Sequence, residues 1–203
     1  MLFYLSLSIL ILTMGAQIIL RSFWLKRYNW LERYNTVKIF KYIFYFSIFL
    51  IFTLLFYNSY LQYFAWSQNE LSKLFLPPYQ PLNYFLFYVG MRFFGPYLIS
   101  LAFALLFINA AKYLNKKYEE RFFYEEEFYI AALSIFLVGY PLAIFYLIAV
   151  ILIYLLAHFI FIGARGNFKE RLSTYYLWLP IAIFAIIIIE RLKILEWWKL
   201  LKI

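Results

Sequence analysis

Apolar residues in this chain come in long uninterrupted runs, each closed by a short charged segment. About 20 residues of helix cross a hydrocarbon layer of roughly 30 Å, so such runs predict spanning helices. The first run is Leu2–Leu20. Nothing basic precedes it, so it lacks the charged head of a secretory signal peptide. Arg21–Lys41 follows, carrying Arg21, Lys26, Arg27, Arg33, Lys38 and Lys41 against Glu32. This is the strongest basic loop. It predicts a cytoplasmic loop and an N-terminus outside.

Tyr42–Gln62 is the second run. Tyr63–Pro81 holds Trp66, Pro77, Pro78 and Pro81, and reads as an outer loop with a short interfacial stretch. Asn83–Phe94 is apolar but short, with Gly95-Pro96 behind it. It is either an interfacial or re-entrant half-helix or the outer arm of one kinked helix. Tyr97–Leu114 is the third full span. The segment 115–127 is charged, with Lys116, Lys117 and Arg121, and reads as cytoplasmic.

Phe128–Ile162 is 35 residues without a charge, too long for one span and suited to a hairpin. Gly139-Tyr140-Pro141 is its turn signal, giving a fourth helix near 122–139 and a fifth near 141–162. The fourth is short in strictly apolar residues, which suits a helix tucked against its neighbours. Gly163–Ser173 is basic again. Thr174–Ile189 is the sixth span. The tail 190–203 alternates Trp and Leu with Arg, Lys and Glu, as an amphipathic interfacial helix does. The expected fold class is all-α: one polytopic domain over 1–203, with about six transmembrane helices and an interfacial tail.

Composition narrows the function classes. Hydrophobic residues make up 67% and charged residues 14% of 203 residues, against about 45–50% and 25% in soluble domains. Too little polar surface remains to cover a soluble fold, and the chain is too apolar for disorder. Aromatic residues at 26% predict interfacial belts and a ring-packed interior. The formal net charge of +9 belongs to the basic loops, so nucleic acid is not an expected partner. There is no cysteine and one histidine, and all ten acidic residues are glutamate. Disulfides, thiolate metal sites, a Ser-His-Asp triad and a two-histidine zinc site are therefore excluded. No phosphate-binding glycine loop is present, and no cofactor is implied.

A few residues remain as candidates for chemistry. Glu125, Glu126 and Glu127 form an acidic run that suits a hard cation or acid–base work. Helix-dipole stabilisation explains the same run, and neighbouring helical residues point about 100° apart. His158 in the fifth helix is a candidate proton carrier or an interior hydrogen-bonding residue. Arg92 lies in an apolar segment, where it either snorkels to the outer interface or binds an anion.

Glu125–Pro141 reads EEEFYIAALSIFLVGYP. It resembles the type IV prepilin peptidase region in which a GxGD motif opens a short apolar helix. The long apolar helix that follows, the basic loop, and Arg171-Leu172-Ser173 leading to Leu179-Pro180 are also similar, so the resemblance covers about 118–190. It implies a catalytic aspartate at Glu126 and a second near Glu70, which precedes Leu76-Pro77. Both positions are glutamate here, and the glycines flanking the first are Phe123 and Glu125. The expected topology also puts Glu70 outside and Glu126 inside, and paired carboxylates must share one side.

The leading expectation is a non-catalytic scaffold or interaction subunit, such as one in a pilus or secretion-type assembly. Its partners would be the lipid bilayer and other membrane proteins. The expected location is a cell inner membrane, with an organellar inner membrane as the alternative. The rival readings are a protease using Glu70 and Glu126, a small transporter using Gln17, Arg92 or His158, and a respiratory-complex subunit.

Overall fold

The computed structural model describes residues 2–21, 34–119, 123–165 and 174–192. Among them there is no strand. Seven α-helices follow in order: α1 (Leu2–Arg21), α2 (Tyr34–Gln68), α3 (Leu82–Val89), α4 (Gly95–Lys117), α5 (Glu127–Val138), α6 (Leu142–Arg165) and α7 (Trp178–Leu192). A 3-10 turn at Ser72–Phe75 and a π turn at Gly90–Phe94 complete the set. Four stretches are long and apolar enough to cross a membrane: Leu2–Leu20, Thr36–Gln68, Leu82–Lys117 and Leu142–Phe161. α5 and α7 are shorter. Most of the basic loop at 21–41, most of the loop at 163–173, and the tail from 193 onward lie outside the described residues.

α5 forms the hub. It has twelve residues, about 18 Å of helix, and all twelve are buried. It is apolar on every face, the pattern of a helix enclosed by others. α4, α7, α2, α6 and α1 pack around it. Ala131 and Ala132 have no exposed surface, so small side chains let the neighbouring backbones close in. The helix stops where Gly139 takes φ +77°, a conformation that costs any other residue energy.

α2 is much longer than the run that predicts it. Hydropathy marks Tyr42–Gln62, whereas the helix continues to Gln68 because no glycine or proline interrupts it. Asn69 ends it by accepting hydrogen bonds from the N–H groups of Leu71 (3.0 Å) and Ser72 (3.1 Å). The stretch Tyr63–Gln68 is therefore helix rather than loop.

Gly95-Pro96 does not break the chain's third rod. Pro96 has no N–H for the carbonyl four residues back and would crowd it. The helix widens to a π turn, in which the Gly95 N–H bonds the Gly90 carbonyl, and runs on. Of the two readings of Asn83–Phe94, an arm of one long helix is the one observed. This arm lies antiparallel to the end of α2, with Phe56 on Phe94 (5.0 Å), Tyr63 on Phe85 (5.3 Å) and Trp66 on Tyr88 (4.7 Å).

Two features suit an apolar surrounding. The hydroxyls of Thr13, Ser47, Ser59, Ser100 and Ser134 donate to carbonyls four residues back in their own helices. The outside of the bundle is apolar, as at Leu152, Leu156, Phe159 and Ile160 on α6.

The hub makes one firm prediction. Ala132→Leu adds volume where none is free and should destabilise the fold by about 1–3 kcal/mol. Ile151→Leu, on an exposed face of α6, should leave stability unchanged. Thermal unfolding in detergent micelles distinguishes the two.

Candidate functional site

Side-chain hydrogen bonds that join separate segments collect around the N-terminus of α5. α4 ends at Lys117, and the chain turns back on itself at Tyr118 and Glu119. Asn115, nearly buried on the last turns of α4, holds the returning strand of chain. Its Nδ2 donates to the Phe123 carbonyl (2.6 Å) and its Oδ1 accepts from the Phe123 N–H (3.0 Å). A side-chain amide thus replaces a backbone partner, which satisfies both groups of Phe123.

Glu127 follows, on the first turn of α5, and has no exposed surface. Its Oε2 accepts a hydrogen bond of 2.6 Å from the Thr174 hydroxyl. The adjacent residue of the same turn, Tyr175, offers its carbonyl to Gln17 Nε2 at 2.6 Å. One short segment before α7 is thereby tied to α5 on one side and to α1 on the other. Tyr146 on α6 adds a third tie, donating to the Trp178 carbonyl (3.0 Å). Aromatic rings fill the gaps: Phe107 and Phe123 both lie against Trp178, and Tyr124 meets Tyr175 edge-on.

The charge around this end is basic. Lys38 and Lys41 lie near the start of α2, and Lys112, Lys116 and Lys117 near the end of α4. Lys112 Nζ sits 5.6 Å from the centre of the Tyr129 ring, and that ring touches Phe44 on α2. The ends of α1 and α4 and the starts of α2 and α5 therefore belong to one basic end of the bundle.

The structure separates the candidates that the sequence groups. Glu125 is exposed, Glu126 half-buried and Glu127 fully buried, so the acidic run fans into three environments. Among the described residues, no group of three histidine, cysteine or acidic side chains converges as a metal site. Glu126 uses its carbonyl to accept from the N–H groups of Tyr129 and Ile130, which starts α5. Glu70 is exposed in the turn after α2, at the opposite end of the molecule. The continuous rod from Leu82 to Lys117, about 54 Å long, lies between it and Glu126.

Arg92 lies exposed in the π turn, with its guanidinium 5.8 Å from the centre of the Tyr88 ring. His158 is half-buried on α6 and stacks on Tyr154 (5.8 Å, 10°). Its Nδ1 is buried without a hydrogen-bond partner. Gln17 is occupied by the Tyr175 carbonyl. Asn115 and Thr174, which no motif marks in the sequence, carry more of the local geometry than any candidate carboxylate except Glu127. Their signal is faint: each is a lone polar residue at the charged border of an apolar run.

No protein-family model, no curated protein and no solved structure matches this chain.

Removing the Thr174 hydroxyl leaves a buried carboxylate oxygen without that donor, which typically costs about 1–3 kcal/mol. Thr174→Val should therefore lower the unfolding temperature clearly, and Thr174→Ser should restore most of it. Asn115→Ala should destabilise by a similar amount, since it strands both backbone groups of Phe123. Unfolding in micelles, followed by circular dichroism, reads all three.

Proposed function

We propose that this chain is a multi-pass membrane protein of the inner membrane that acts without catalysis, as a scaffold or interaction subunit. A pilus or secretion-type assembly is the setting that its resemblance to prepilin peptidases suggests. The observation that carries the non-catalytic reading is the separation of Glu70 from Glu126. Two carboxylates that share a proton must be neighbours, and these lie at opposite ends of a rod longer than a bilayer is thick. The buried Glu127 supports the same reading, because its carboxylate serves the fold by joining α5 to the segment before α7.

The six-pass order belongs to this proposal. α1, α2, the α3–α4 rod, α5, α6 and α7 run alternately in and out, with the basic end in the cytoplasm. α5 is too short to cross in contact with lipid, but it need not, since protein encloses it on all sides. The N-terminus then lies outside. The exposed lysines at the end of α4 and the arm formed by the end of α2 with α3 are the surfaces offered to partners.

The chain has no native cysteine, so single cysteines report sidedness cleanly. Leu71→Cys and Tyr118→Cys should react with an impermeant thiol reagent from opposite faces of the membrane. Labelling of both from the cytoplasmic face would remove the topology and return the two-glutamate protease to first place. A photo-crosslinking residue at Phe87, exposed on the arm, should give a discrete adduct with a second membrane protein in native membranes. Adducts with lipid alone would end the interaction reading.

A further inference from the structure

We propose that Arg92 binds the phosphate of a phospholipid headgroup at the outer edge of the hydrocarbon layer, and so sets the depth of the bundle. The inference rests on the membrane reading above and adds a ligand and a residue to it. Arg92 stands twenty residues before Lys112 in one continuous helix, and no charge lies between them. That spacing is about 30 Å of helix, which matches a hydrocarbon core of about 30 Å. The two cations therefore bracket the apolar layer, Lys112 at the basic end and Arg92 at the other.

A second observation gives the same boundary. Beyond Arg92 the arm becomes an aromatic cluster in which Trp66 lies against Phe75, Phe85 and Tyr88. Trp and Tyr rings gather at the headgroup level of membranes. The Arg92 guanidinium packs over the Tyr88 ring, which in turn lies on Trp66. A guanidinium held by one face keeps its N–H edge available, and that edge matches two phosphate oxygens at once.

Among the described residues, none supplies the counter-charge, and Arg92 has no ion pair. Trp66 and Tyr88 lie side by side. Glu70 lies past Trp66 in the turn that follows α2, while Arg92 follows Tyr88 by four residues, about 6 Å along the rod in the opposite direction. A phosphodiester at the bilayer edge lies at the right depth to fill the gap.

The test uses the full chain in vesicles of phosphatidylglycerol and in vesicles of a phosphate-free galactolipid. After extraction from the phosphatidylglycerol vesicles, native mass spectrometry counts the lipids each protein retains. The wild type should hold one more phosphatidylglycerol than Arg92→Gln. Arg92→Lys should keep part of that occupancy, and Lys73→Gln, an exposed cation further out on the arm, should keep all of it. An unchanged count in Arg92→Gln overturns the proposal. So does loss of the extra lipid to millimolar inorganic phosphate, which would mark a site for free anions. Failure of the wild type to enter either kind of vesicle would instead refute the membrane reading, before the lipid count is taken.

Discussion

A helix of twelve residues is marginal by itself, because three turns of hydrogen bonds barely repay the cost of nucleation. α5 persists by contact with its surroundings. It is apolar on every face, so each face needs a neighbour, and five helices supply them. Its start needs partners for the chain that feeds it. Asn115 provides them for Phe123, and the Thr174 hydroxyl meets the buried carboxylate of Glu127.

The ties around α5 also explain why the segment before α7 is a turn. Thr174 and Tyr175 must reach α5 and α1 respectively, and a helix points adjacent residues about 100° apart without freeing its carbonyls. A turn leaves the Tyr175 carbonyl free for Gln17 and the Thr174 hydroxyl free for Glu127. Helix α7 then begins at Trp178, four residues later than the apolar run begins. Stability and any contact function are thus separated in space. The buried polar groups hold the basic end together, while the exposed aromatic arm stands at the other.

Several elements are legible in the sequence because they depend on hydropathy alone. The run Leu2–Leu20 is α1 almost residue for residue. The charge-free stretch Phe128–Ile162 folds as a helical hairpin about Gly139-Tyr140-Pro141, and its first helix is tucked among neighbours as its composition suggests. The ends of helices are less legible. α2 runs past the last strongly apolar residue, because a helix ends where its backbone loses partners or meets a breaker, and hydropathy reports neither. Gly95-Pro96 reads equally as a break or as a kink in one helix, and a π turn decides for the continuous helix at the cost of one widened turn.

The sequence by itself determined the class of element, the all-helical content and the segregation of basic residues from the apolar runs. These are local properties, set by periodicity, length and charge. Only the tertiary structure decided which carboxylate is buried, that Glu70 and Glu126 lie at opposite ends, and that Asn115, Thr174 and Gln17 hold the base of α5. The reason is geometric. In a chain this apolar, every run is equally able to pack on every other, so partners emerge only when small residues, turns and hydrogen bonds are satisfied together.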